Sequence, residues 1–329
     1  MRETVDRLQE SLYRVKVPLP FPLRWVNAYA LRGSEGWTII DPGLHTPEAE
    51  AVWKEAMTEI GFDFGAVEQI VLTHFHPDHY GLAGWFQERC RADVPVRLTA
   101  ESESMARRMW GPGETLTLPI QADFLRHGMD EETAAQMVPH LDDFQAYVSP
   151  QPAITPLEAD TVIRLGDREY RTILTPGHAA GHLCFYEETS GEIFCGDQVL
   201  PKITPNVSFM PGCDPNPLDT FLGSLESLAD LPVSRAYPGH RDPFNGFGDR
   251  AREIIRHHVE RLEEMMAGLD VPLTAYEVCR RMFGNRLSIH QLRFAMGEAL
   301  AHLVYLVNDG RVVESKEQTT GVIHYRKRT

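Results

Sequence analysis

The stretch THFHPDHYGLAGW, residues 73–85, places His74, His76, Asp78 and His79 within six positions. A polar surface loop could hold them, and so could a metal. Before them, VEQIVLT (67–73) reads as a buried strand; behind them, HYGLAGWFQERC (79–90) reads as a helix. The cluster therefore sits at a strand-to-helix turn, stiffened by Pro77. His74 and His76, two apart, can point the same way from an extended chain. Asp78 and His79 fall where the backbone turns into the helix and can face a second position a few ångströms away.

The same turn chemistry recurs downstream. TILTPG (172–177) runs into His178, IFCG (193–196) into Asp197, and RAYPG (235–239) into His240. Separate strands thus deliver a His or Asp just past their ends, where α/β folds build sites on loops held by a rigid sheet. Imidazole and carboxylate together suit zinc, iron or manganese. No Ser-His-Asp elbow or P-loop competes for the chemistry. His45, His257, His258, His290, His302 and His324 read as packing or surface residues, and His127 and His140 lie outside the strand-end pattern.

Around these turns the pattern is that of a mixed α/β layer structure. LYRVKV (12–17) alternates as a strand, prolines at 18, 20 and 22 demand an ordered loop, and 27–41 reads as a hairpin turning at 33–36. Thr46 and Pro47 open a helix, and VPVRLTA (94–100) is a further strand. About 101–155 is mostly helical and lacks strand signals, so it reads as an insertion. Its ends attach near the site loops, so a few of Met105, Met109, Trp110, Met129, Met137, Phe144 and Tyr147 are expected to roof the pocket and select an apolar part of a small substrate. Residues 246–329 read as three helices and a two-stranded ribbon, a winged-helix-like module beside a main domain at 1–245.

A chain of 329 residues suits one large domain plus a smaller one. The net charge is −15, yet residues 245–329 carry 13 basic and 11 acidic residues, so the acidic excess lies in 1–244. That disfavours non-specific nucleic-acid or membrane binding by the main domain, while the tail can pack on it, make a homodimer or bind nucleic acid. The five cysteines, an odd number without C-x-x-C spacing, form no disulfide framework. MRETVDRLQESLYRV lacks a leader's apolar core, and no run approaches a membrane span, so a cytoplasmic protein is expected.

H-x-H-x-D-H at 74–79, with His178, Asp197 and His240 downstream and Asp41 upstream, resembles the metallo-β-lactamase superfamily over residues 12–245 apart from the insertion. The resemblance implies a four-layer αββα sandwich. It assigns His74, His76 and His178 to one metal, Asp78, His79 and His240 to a second, and Asp197 to a bridge between them. Asp41 would brace the 74–79 loop, and His182 in TPGHAAGH matches a histidine that lies beside the site in the glyoxalase II-like branch. Tyr80–Gly84 departs from the paired glycines usual in that branch, and the tail is similar instead to that of lactamase-like proteins, which include an endoribonuclease.

An aspartate at the bridging position is typical of hydrolases of thioesters, lactones and phosphodiesters rather than of β-lactam cleavage. The expected activity is therefore that of a hydrolase with two divalent ions, zinc first and iron or manganese as alternatives. A bridging hydroxide would attack a small ester, thioester or lactone, with Asp78 orienting it or passing a proton. A nucleic-acid phosphodiesterase, and a mononuclear-iron sulfur dioxygenase or metal-bound sensor, remain as other readings.

Overall fold

A computed structural model describes residues 4–113 and 115–328; residues 1–3, the head of the N-terminal stretch read above, lie outside it. The first sheet takes its strands in chain order: β1 (Val5–Arg7), β2 (Leu12–Pro18), β3 (Trp25–Arg32), β4 (Trp37–Ile40), β5 (Val67–Val71), β6 (Val96–Leu98) and β7 (Ile154–Pro156). It is antiparallel from β1 to β4 and parallel from β4 to β7. The second contains β8 (Val162–Leu165), β9 (Arg168–Leu174), β10 (Leu183–Glu187), β11 (Glu192–Gly196) and β12 (Arg235–Pro238), with β12 parallel to β11 at one edge.

Period-two alternation sorts the side chains between layers. Tyr29, Leu31, Ile40 and Val71 point one way and meet Leu183, Phe185 and Phe194 of the second sheet, forming a dry inter-sheet core. Their neighbours Ala28, Ala30, Ile39 and Ile70, and Cys184, Ile193 and Cys195 opposite, point outward under the helices. The result is an αββα sandwich. Helices α1 (Pro47–Ile60) and α3 (Ala83–Arg89) meet edge-to-face through Trp53 and Phe86, with ring centroids 4.9 Å apart. Thr46 caps α1, its side chain accepting from the Ala49 N–H at 3.1 Å, with Pro47 in the first turn as expected.

The helix expected over 79–90 is two. A four-residue helix α2 (Pro77–Tyr80) precedes α3, because the Leu82 N–H donates to Gly43 O at 2.7 Å, after β4, instead of to its own helix. Gly81 tolerates the crowding this causes: a Cβ there would lie 2.3 Å from Tyr147 O.

The segment after β6 is helical, as α4 (Ala100–Trp110), α5 (Thr117–Arg126) and α6 (Glu131–Asp142), followed by a 3-10 turn over Asp143–Val148. It ends in β7, which the sequence pattern does not announce: three residues with Pro156, on the sheet edge, carry no alternation. The short edge strand β1 and helix α7 (Pro217–Ala229) likewise have no counterpart in the sequence reading.

Beyond β12 come α8 (Phe247–Ala267), α9 (Ala275–Phe283) and α10 (Ile289–Asn308), then the antiparallel ribbon β13 (Val312–Lys316) and β14 (Ile323–Lys327). Capping boxes at Thr274/Glu277 and Ser288/Gln291 fix where α9 and α10 begin. The helices between β6 and β7 link this part to the site: Ser102 Oγ donates to Ala180 O at 2.6 Å, and Tyr276 N–H donates to His127 O at 3.1 Å. All five cysteines are free thiols, and among the described residues no helix is long and apolar enough to cross a membrane.

Candidate metal centre

β4 and β5 run parallel and end side by side, and the turn after each supplies one half of a brace. Asp41, after β4, has a left-handed backbone (φ 50°) that Asp tolerates better than most residues. Its Oδ1 accepts the Thr73 N–H at 2.8 Å and its Oδ2 the Thr73 hydroxyl at 2.7 Å. Thr73 O in turn accepts the Leu183 N–H at 2.9 Å, tying the loop to the second sheet. His74 and His76 therefore leave a clamped, extended segment, and Asp78 and His79 start on the first turn of α2 behind Pro77.

The imidazole partners determine which ring nitrogen is bare. Thr73 spends its hydroxyl proton on Asp41, so it can only accept from His74 Nδ1, 2.9 Å away. His79 Nδ1 donates to Asp41 Oδ2 at 2.9 Å, His178 Nδ1 to Asn206 O at 2.8 Å, and His240 Nδ1 to Trp25 O at 3.1 Å. In each ring the acceptor fixes a proton on Nδ1, so Nε2 is the atom that carries the lone pair in the neutral ring. All four Nε2 atoms are buried and make no hydrogen bond with a described residue.

These bare atoms converge. His74, His76 and His178 can each offer one atom to a common point, all within 4.8 Å of one another, and so can Asp78, His79 and His240. Asp197 stands between the two sets. Its Oδ1 is 3.5 Å from His79 Nε2, and its Oδ2 is 3.8 Å from His178 Nε2 and 3.4 Å from His240 Nε2. Asp78 Oδ2 lies 3.1 Å from His240 Nε2. Asp41, His74 and His79 also fall within 4.8 Å of one another, but both Asp41 oxygens are engaged on the Nδ1 side, so that group is the brace. Buried, unpartnered nitrogen lone pairs around carboxylates fit divalent metal ions, which take these ligands in their deprotonated forms.

The charges agree. Burial pushes His74, His76 and His178 below the usual imidazole range and keeps them neutral. Burial acts on His79 and His240 in the same sense, but the carboxylates overcome it: Asp197, Asp78 and Asp41 raise His79, and Asp197 and Asp78 raise His240 to about 10. Asp78 and Asp197 are held below the ordinary carboxylate range by these imidazoles against the opposing effect of burial. Carboxylates that keep protons on two buried rings mark an excess of negative charge, which divalent cations would neutralise.

His182 lies beside the centre, its ring 5.0 Å from that of His74. Both its nitrogens are engaged, Nδ1 with Thr175 Oγ1 at 2.8 Å and Nε2 as acceptor of the Asp197 N–H at 3.3 Å, so it holds the Asp197 turn. Gly239, next to His240, has a role the sequence reading misses: a Cβ there would lie 2.3 Å from Asp197 Oδ1 and 2.5 Å from His79 Cε1. Asn206, whose carbonyl orients His178, is itself held from α10, donating to Glu298 Oε2 at 2.8 Å and to Phe294 O at 3.3 Å. No motif surrounds Asn206, so only the packing reveals it. His45 is bound to Glu50 and to Ser149 O, and His127 to Tyr325, away from the centre. Met105, Met109, Trp110, Met129, Met137 and Phe144 are buried in the core, while Tyr147 is half-buried.

Comparison with known proteins places this arrangement. Residues 23–240 match the model of the metallo-beta-lactamase superfamily, and residues 262–328 match that of the metallo-beta-lactamase-like C-terminal domain. The probable metallo-hydrolase YqjP of Bacillus subtilis (strain 168) is 26% identical over 329 residues, covering 97% of this chain and 99% of its own length. The crystal structure of metallo-beta-lactamase family protein TTHA1429 from Thermus thermophilus superposes with a TM-score of 0.87 at 36% identity, over 98% of this chain and all (100%) of that one. A beta-lactamase domain protein from Burkholderia ambifaria gives the same TM-score, 0.87, at 30% identity, over 98% and 94% of the two chains. The chain belongs to the metallo-beta-lactamase superfamily and is a metallo-hydrolase of it.

Proposed function

We propose that the chain hydrolyses a small ester, thioester or lactone at a centre of two divalent metal ions, most readily zinc. His74, His76 and His178 would hold one ion, Asp78, His79 and His240 the other, and Asp197 both. The observation that carries this reading is the position of Asp197 between the two histidine sets, with Oδ2 3.8 Å from His178 Nε2 of one set and 3.4 Å from His240 Nε2 of the other, and Oδ1 3.5 Å from His79 Nε2. Such ions, when bound, supply Lewis acidity and a nucleophilic water near neutral pH.

The chain's own residues do the rest. Thr73, Asp41, Asn206 and the Trp25 carbonyl hold the imidazoles in one tautomer and orientation, so no reorganisation is needed during reaction. Asp78, a carboxylate at neutral pH, accepts the proton of the attacking water as the new C–O bond forms. It returns that proton to the leaving alkoxide or thiolate as the acyl bond breaks. Asp78 thus has a catalytic role besides its metal.

A small substrate is favoured by what surrounds the centre. The 3-10 turn at 143–148 packs on α2, its Tyr147 O accepts the His45 N–H of the loop after β4 at 3.0 Å, and α10 grips the Asn206 loop. We assign the metal to residues 1–245, with the helices of 101–155 at the rim of the site, and closure of its far side to 246–329. The test is elemental analysis of protein purified without added metal, with initial rates on thioester, lactone and phosphodiester panels. Two ions per chain and turnover of acyl esters are expected. One iron per chain, or cleavage of phosphodiesters alone, would overturn the reading.

A further inference from the structure

Arg293 lies in the first turns of α10, where the Ser288 capping box fixes the start of the helix. Its guanidinium sits 4.2 Å from the Phe294 ring centroid and 5.2 Å from that of Phe144. It has five N–H donors, yet it makes no hydrogen bond or ion pair with any described residue, and its Nε is buried without a partner. Burial draws it down to about 10, so it stays charged at neutral pH, and the carboxylate that acts on it is Asp78, in the metal centre. His290, three residues earlier on the same helix face, also feels Asp78 and has a buried, unpartnered Nδ1.

Beside this cation stand parallel rings from three distant parts of the chain. Phe21, in the proline loop, stacks on His290 at 4.4 Å and 8° and on Phe144 at 5.7 Å and 14°. Phe144 reaches His290 at 6.0 Å and 7°. Ring faces contribute attraction for the cation but no acceptor for its N–H groups. Some exposed arginines elsewhere in the chain find carboxylates, as Arg107 does with Glu103 and Arg164 with Asp167. A half-buried arginine that does not, set against aromatic rings and near enough to Asp78 for the two charges to interact, has the chemistry of a site for an anion.

We infer that Arg293 binds an anionic group, carboxylate or phosphate, carried on a flat small substrate whose acyl bond is presented to the metal centre, with the half-buried Phe21 and His290, backed by Phe144, packing against its planar part. This rests on the hydrolase reading above and specifies its substrate class. A planar bidentate donor matches either oxyanion. It gives α10 a direct part in specificity, since the residue that selects the substrate and the grip on the Asn206 loop lie on one helix.

The experiment uses the metal-loaded full chain, its Arg293→Gln and Arg293→Lys variants, and N-acetylcysteamine thioesters of 4-carboxybenzoic, 4-(phosphonooxy)benzoic and 4-methylbenzoic acids. Non-hydrolysable amide analogues are titrated in parallel by calorimetry. The wild type should prefer a charged thioester over the neutral one, and the preferred charged arm identifies carboxylate or phosphate. Arg293→Gln should lower kcat/KM and amide affinity for that arm by about 10- to 100-fold, the scale of a lost charge-assisted bond, and leave the neutral arm unchanged. Arg293→Lys should retain part of the preference. Equal losses on all three arms would mean Arg293 only packs, and unchanged charged arms would remove its role; either overturns the inference. So would loss of affinity for a single-stranded RNA oligonucleotide without loss for the small anions. If no thioester turns over but the charged amide binds in an Arg293-dependent way, the hydrolase reading fails while the subsite stands. Turnover without charge preference would instead remove the subsite and leave the hydrolase reading in place.

Discussion

His74 and His258 are equally hidden from solvent, both at 0% exposure, and both have an unpartnered Nε2. His258 lies inside α8, with Nδ1 3.1 Å from His302 Nε2, while His302 Nδ1 donates to Glu298 O at 2.8 Å. Besides His302 it meets its chain neighbour His257 at 5.5 Å and the Phe221 ring edge-on at 5.6 Å, and no carboxylate of a described residue pairs with it. His74 meets two further imidazoles from separate turns, with Asp197 just beyond them. Burial pushes both below the ordinary imidazole range, His258 to about 2. The difference is therefore one of convergence. A regular helix spreads its side chains around an axis, whereas strand-end turns can aim side chains from several strands at one point. Buried histidine alone builds a core contact; buried histidine with carboxylates at a turn builds a metal centre.

The severest break in that comparison is Asp197→Ala. It removes the carboxylate shared by the two histidine sets, so activity should fall by more than the 10- to 100-fold typical of outer partners, with at least one ion lost. Elemental analysis and initial rates check it, and full metal content would exclude the bridging role. Next comes Gly239→Ala, which changes no polar group. Its Cβ would push on Asp197 and His79, and displacement of about 1 Å should cost on the order of 100-fold in turnover with the melting transition retained.

Asp41→Asn should be milder, roughly 10- to 100-fold in metal affinity by competition with a chelator. It keeps the shape of the brace but weakens the charge-assisted bonds to Thr73 and His79. The smallest effect on the centre belongs to the other pair: His258→Gln with His302→Gln should leave metal content and turnover unchanged.

That double variant should instead alter acid stability. The folded pair titrates at about 2 and about 4, below the ~6.5 of an unfolded histidine. As pH falls below ~6.5 the unfolded chain gains protons that the folded chain refuses, so this pair makes stability decline with acid until the folded values are reached. The decline is on the order of 1 kcal/mol per pH unit for each group that stays neutral. Urea melts at pH 4.5–7 should show a shallower acid slope in the double variant than in the wild type. An unchanged slope would mean the pair is not held neutral.

The strands and the turns that carry His or Asp were legible because their signals are local. Period-two strands such as LYRVKV, the Thr46–Pro47 start, and His or Asp just past a strand carry their meaning within a few residues, and the family resemblance rests on those same turns. β7 was not, since three residues on an edge next to a proline have no pattern of their own. Nor was the break between α2 and α3, which a hydrogen bond from Leu82 to the distant Gly43 imposes.

By itself the sequence determined the strands that end in His or Asp, because strand periodicity and turn composition act over short separations; the layer order and the candidate donor set followed from the family resemblance those turns carry. Only the tertiary structure decided which imidazole nitrogen is free to face the centre, since Asp41, Asn206 and Trp25 reach the rings of His79, His178 and His240 from separate elements. It alone showed that a side chain at Gly239 would crowd Asp197 and His79 and that Arg293 comes close enough to feel the charge of Asp78 from more than 200 positions away. Those facts depend on which elements pack against which, and hydrophobic burial, which drives that packing, is non-directional and leaves no residue-by-residue mark in the chain.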